Sequence, residues 1–249
     1  MKNNLLKYIA AAVLVCSFSS QATLIGVFGS QTAAASNVAT SLGYDVEIIS
    51  DYNNLGMYDV VWGLNSSNGS HNSNLTSNTT QFDNYVQAGG VFLYHDRYVT
   101  DADLFVPGAD NFDFSRSFAN GSNIDLVGPN DVAGVDISNS TLDGGSSSNH
   151  GYVTAASIDM PFMGIFNTSI ADQLVDFTFE YGAGHVYYSS IPLDYYLGGA
   201  NPAAFASTYA PNVLAFNVGL ADASDIPEPV SIALFGLALS ALGFSRKKV

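Results

Sequence analysis

Apolar runs of strand length alternate with stretches of helical composition through the first hundred residues. Thr23-Leu-Ile-Gly-Val-Phe28 is an unbroken apolar run, closed by Gly29-Ser30, and an Ala-rich stretch from Thr32 to Leu42 follows, which Gly43 ends. Tyr44-Asp-Val-Glu-Ile-Ile49 alternates as a second strand, and Tyr58-Asp-Val-Val-Trp-Gly63 reads as a third. The Ser/Asn-rich run from Asn65 to Thr80 is a loop, a helix is predicted over Thr80 to Gln87, and Gly89-Gly90 stops it before a fourth apolar strand, Val91 to Tyr94. Strands interleaved with helices and turning on glycine predict an α/β fold, a three-layer sandwich with a mainly parallel sheet.

Between Val99 and Ser157 the pattern loosens into Asp, Gly, Ser and Asn with short apolar islands, which predicts a β- and loop-rich insertion at about 99–157. Ala171 to Glu180 and His185 to Ile191, joined by Tyr181-Gly-Ala-Gly184, form a hairpin signal. Pro202 to Tyr209 and Asn212 to Val218 read as a closing helical stretch, and no period of repeat length recurs.

The ends differ from the body. Lys2 and Lys7 with the apolar run Leu5 to Phe18 and the small residues Ser20-Gln21-Ala22 have the order of a secretory signal peptide over 1–22, cut after Ala22 by signal peptidase. At the other end Pro227, Glu228 and Pro229 precede about 15 apolar or small residues, roughly 23 Å of helix against a hydrocarbon core of about 30 Å. Arg246, Lys247 and Lys248 follow as a basic membrane stop. Over about 225–249 this order resembles the PEP-CTERM sorting signal of Gram-negative bacteria. The resemblance implies processing at the Pro-Glu-Pro by an exosortase, export with transient anchoring in the inner membrane, and association with the cell surface or extracellular polysaccharide.

The 23–224 body reads as one domain, and its charge narrows the picture. The formal net charge is −15, and between Ala22 and Pro227 the only Lys or Arg residues are Arg97 and Arg116. So acidic a body repels phosphate backbones, which argues against nucleic-acid binding. Asp101, Asp103, Asp110 and Asp113 could offer hard oxygens to a structural Ca²⁺, at no EF-hand spacing, and no other cofactor is expected. His71, His150 and His185 have no zinc spacing. Arg97 beside Asp96, and near Asp101 and Asp103, reads as a paired structural cation, and the edge Tyr187, Tyr188, Tyr195 and Tyr196 as packing plus rim, with one of the first two in the core.

"FDNYVQAGGVFLYHDRYV" and "EYGAGHVYYSSIPLDYY" resemble the helix, Gly-Gly, strand and loop, and the late hairpin, of class I glutamine amidotransferase-like proteins, chiefly the trehalose-utilisation (ThuA-like) branch. The resemblance implies a flavodoxin-like sheet with an active-site elbow at the end of the fourth strand. There the amidotransferases carry a nucleophilic Cys, but the one Cys of this chain is Cys16, so glutamine amidotransferase activity is not expected. The elbow falls instead on His95 and Asp96, a possible base and its orienter at the carboxyl end of a parallel strand. Two functions follow: a non-catalytic binding or structural domain, or a hydrolase using His95 and Asp96 on a carbohydrate-related substrate.

Overall fold

The structure, a computed structural model, describes residues 22–224 apart from 129, 131, 132 and 146. Five strands form the parallel half of one sheet in the order β2 (Asp45–Ile48), β1 (Leu24–Gly29), β3 (Val60–Leu64), β4 (Val91–His95), β10 (Gly184–Ser189). Beyond β10 the sheet turns antiparallel through β9 (Gln173–Tyr181), β7 (Gly151–Thr154) and β5 (Phe114–Arg116), while β8 (Phe162–Asn167) pairs with β9 and with the short β6 (Asp125–Leu126). The inserted strands β5 to β7 thus join the same sheet rather than forming a separate unit.

Both faces of the sheet are covered, which is why β3 and β4 are buried along their whole length. On one face α1 (Thr32–Ser41) and α5 (Ala210–Ser224) bring Ala35, Ala39, Val213, Leu214 and Val218 down on Ile25, Val27, Trp62 and Leu93. On the other, α2 (Ser73–Ser77) and α3 (Thr79–Gln87) bring Leu75, Phe82 and Val86 down on Phe28, Val61, Phe92 and Tyr94. This is a three-layer, flavodoxin-like α/β sandwich.

Side chains alternate between the faces along each strand. Along β4, Val91 and Leu93 enter the first core and Phe92 and Tyr94 the second, so His95 and Asp96 are directed to opposite sides. On β10 the same rule sends Tyr187 into one core and Tyr188 into the other, and both are fully buried. The expectation that only one of them is core is corrected by the second covered face. Tyr196, on α4 (Leu193–Leu197), is also buried, and of the four tyrosines Tyr195 alone is exposed.

Candidate functional site

Two buried polar clusters end β4, one on each face. His95 lies in the first core, where the Trp62 indole N–H donates to its Nδ1 at 3.2 Å and its Nε2 meets the Tyr209 hydroxyl at 3.1 Å. Indole N–H can only donate, so Nδ1 must accept and the ring proton sits on Nε2. Nε2–H then donates to Tyr209, whose own proton goes to Asp176 Oδ2, which also accepts from Tyr187 at 2.9 Å. Burial pushes the His95 imidazole down to about 3 and the Asp176 carboxyl up to about 7, the latter against the pull of the Ser189, Tyr209 and Tyr187 hydroxyls. The chain Trp62, His95, Tyr209, Asp176 is therefore a fully buried relay with no lone pair on the imidazole to spare.

Asp96 faces the second core and is fully buried. Its carboxylate accepts from Asn65 Nδ2 at 3.1 Å, the Tyr98 and Val99 amides at 2.9 and 3.1 Å, and the Tyr188 hydroxyl at 3.1 Å. His71 approaches it through Nδ1 at 3.4 Å, an ion-pair contact rather than a well-aimed hydrogen bond, while Nε2 meets the Thr100 carbonyl at 2.7 Å. Burial pushes Asp96 up, but His71, Asn65 and the Tyr98 amide outweigh it and hold the carboxyl below its ordinary value. Burial pulls His71 down, and Asp96 and the Thr100 carbonyl more than restore it, so the imidazole is raised. With both ring nitrogens against acceptors, the surroundings of His71 favour its protonated form beside the Asp96 carboxylate. The pair anchors the loop after β4, in which the β-branched Val99 is held at φ 66° and Asp101 at φ 57°. His95 and Asp96 are not brought together, and neither reaches solvent.

That anchored loop presents Arg97 to a cavity of about 360 Å³ lined by Asn68, Arg97, Arg116, Phe118, Ser147, His150 and Tyr195. Its walls follow the carboxyl ends of β3, β4 and β10, where ligands of parallel α/β sheets bind, and the inserted segment supplies Arg116, Phe118, Ser147 and His150. Arg97 pairs through one terminal nitrogen with Asp194 at 3.0 Å and donates to the Ser66 carbonyl at 3.1 Å. The sequence expectation of pairing near Asp96 is thus corrected in partner, because alternation turns Asp96 inward. Arg116 has no carboxylate within ion-pair distance among the described residues. It donates to the Asn68 and Tyr98 carbonyls and lies over the Tyr98 and Phe118 rings, with its charge 5.3 and 5.4 Å from their centres. His150 Nδ1 meets the Arg97 carbonyl at 2.9 Å and must donate there, and burial, helped by both arginines, lowers its imidazole to about 4. Its Nε2 therefore bears a lone pair.

A second cavity, of about 390 Å³, opens at the amino ends of the strands between Tyr58, Asp59, Tyr85 and Gly90. The buried Tyr85 hydroxyl there is spent on the Tyr58, Asp59 and Val91 backbone, and the Tyr58 hydroxyl meets Glu47.

The acidic residues proposed for calcium do not converge. Asp103 and Asp110 border one shallow depression, whereas the Asp113 carboxylate accepts from Thr154 Oγ1 at 3.0 Å. Among the described residues no three His, Cys, Asp or Glu side chains are grouped to hold a metal ion, so the calcium site of Asp101, Asp103, Asp110 and Asp113 is withdrawn.

No family model matches the chain, and no curated protein matches it. Among solved structures it is similar to Cytoplasmic Protein STM1381 from Salmonella typhimurium LT2, at 13% identity and TM-score 0.53 over 78% of this chain and 98% of that one. It is similar also to Cytoplasmic Protein STM3548 from Salmonella typhimurium, at 12% identity and TM-score 0.51 over 80% of this chain and 98% of that one. The likeness shows the fold alone.

The expectations of a membrane-spanning helix, export, transient anchoring and a surface location are withdrawn. A helix needs about 20 residues to cross a membrane. No helix among the described residues is long and apolar enough to do so, α5 having 15 residues, and both Salmonella proteins are described as cytoplasmic. Ala22 is an exposed residue ahead of β1, while Pro227, Glu228, Pro229, Arg246, Lys247 and Lys248 lie outside the described residues.

Proposed function

We propose that this chain is a non-catalytic small-molecule binding domain that takes its ligand in the pocket of Arg97 and Arg116. The observation that carries this reading is the commitment of both His95 nitrogens, Nδ1 as acceptor from Trp62 and Nε2 as donor toward Tyr209. A general base needs a lone pair within reach of the substrate's proton. His95 has none, and Asp96, turned to the other face and saturated with donors, cannot orient it. The nucleophilic Cys of the amidotransferases is also missing from the elbow. What remains open at the carboxyl ends of the strands is a cationic, aromatic-rimmed pocket, a recognition surface without a nucleophile and base in contact. The test is hydrolysis of p-nitrophenyl acetate and of p-nitrophenyl glycosides by the full chain. No turnover above the uncatalysed rate is expected; turnover that either His95→Gln or His150→Phe removes would overturn the reading.

A further inference from the structure

The arginine pocket offers more than positive charge. In a chain of net charge −15, a guanidinium without a carboxylate partner is an exception, and Arg116 is one among the described residues. Its position is fixed by two carbonyls and two rings rather than by an anion of the protein, which leaves its charge uncompensated. Arg97 has its charge shared with Asp194, but its Nε is buried and finds no hydrogen-bond partner among the described residues. Two guanidiniums with donors to spare favour a planar anion that can accept two hydrogen bonds side by side, a carboxylate or one face of a phosphate.

Two further features separate those anions. His150, its Nδ1 proton spent on the Arg97 carbonyl, presents Nε2 as an acceptor, which repels a fully ionised anion and welcomes a hydroxyl. Phe118 and Tyr195 stand at the rim, 53% and 42% exposed. Each ring lies beneath a guanidinium, Phe118 under Arg116 and Tyr195 under Arg97, and rings so placed can also cover the C–H face of a saturated ring, a contact an inorganic anion cannot make. The cavity of about 360 Å³ sits at the small end of the roughly 300–1,000 Å³ range of small-molecule sites.

We propose that this pocket binds a sugar acid, a hydroxylated carboxylate of monosaccharide size, with its carboxylate on Arg97 and Arg116, a hydroxyl donating to His150 Nε2 and its ring against Phe118 and Tyr195. The proposal rests on the reading of the chain as a binding domain and adds to it the class of ligand.

The experiment is isothermal titration calorimetry of the full chain with D-glucuronate, D-galacturonate, D-glucose and sodium sulfate at matched ionic strength. One of the uronates is expected to bind at least tenfold more tightly than glucose and than sulfate. Arg116→Gln should weaken the uronate at least tenfold, and His150→Phe should weaken the uronate while leaving sulfate unchanged. Thermal unfolding of each variant without ligand separates lost recognition from lost folding, and Phe118→Ala, an exposed position, serves as a third probe where either variant unfolds. Sulfate binding as tightly as both uronates would overturn the sugar-acid class and leave the pocket as a simple anion site, and glucose binding as tightly would overturn the carboxylate. If no probe binds and the Arg97 and Arg116 side-chain N–H resonances stay unmoved by all four, both the ligand class and the pocket as the domain's binding site are wrong.

Discussion

Tyr209 brings one hydroxyl to three buried polar neighbours, Asp176 Oδ2, His95 Nε2 and Ser189 Oγ, and a buried polar group left unpaired costs about 1–3 kcal/mol. Tyr209→Phe should lower the free energy of unfolding by that amount in a denaturant titration, since Asp176 would keep only Tyr187 as a donor from the ring hydroxyls. Asp176 makes a second prediction. Its folded pKa, about 7, lies above the ordinary 3.8 because of burial, so the folded chain keeps a proton that the unfolded chain has already lost. The stability this proton confers is complete below about pH 4 and is lost as pH rises through about 7. Asp176→Asn removes the titration, so the unfolding midpoint of the variant minus that of the native chain should increase steadily from pH 5 to 7. A constant difference would mean that Asp176 is ionised in the fold. His95 was legible as a candidate base, but its cluster was not, because Trp62, His95, Asp176 and Tyr209 are far apart along the chain and meet only through strand pairing and the packing of the last helix. Arg97 and Arg116 were legible by another route, as the two cations of an acidic body, although nothing in their spacing said that they share a pocket.

The elements were easier to read where a single period held. The helix predicted over Thr80 to Gln87 runs Thr79–Gln87, and the Tyr181-Gly-Ala-Gly184 signal is the turn between β9 and β10. β8 went unread because its pairing with β9 shifts register between Gly164 and Phe166 and again between Phe166 and Asn167, which breaks the alternation, and its outer half is exposed. The polar run after β3 hides α2, a helix of five residues too short to show a period and held by Asn72, whose side chain accepts from the Asn74 amide. Within β3, Gly63 makes room for large rings. A Cβ there would lie 2.3 Å from the Phe28 ring and 2.7 Å from that of Tyr94. Gly63→Ala should therefore overpack this face and lower stability by about 1–3 kcal/mol, read as a drop in the thermal midpoint with far-UV circular dichroism retained. An unchanged midpoint would mean that the aromatic pile is loosely packed.

On the scale of the whole molecule, a parallel sheet with both faces covered turns its carboxyl-terminal edge into a platform, and the inserted segment roofs part of it with Arg116, Phe118 and His150. Burial at the end of β4 does two opposite things: it removes His95 from chemistry by fixing its tautomer, and it uses Asp96 and His71 to hold the loop that carries Arg97. The sequence placed His95 and Asp96 at the right edge of the sheet, but adjacency in the chain could not reveal that two covered faces would draw them apart. The reading of this domain as a binder rather than a catalyst depends on that arrangement. Nitrogen-15 NMR of the imidazoles of the full chain, followed from pH 5 to 9, tests it most directly. The account predicts a neutral His95 with its proton on Nε2 and no titration across that range, and a His95 that titrates near pH 6 to 7, or carries its proton on Nδ1, would contradict it.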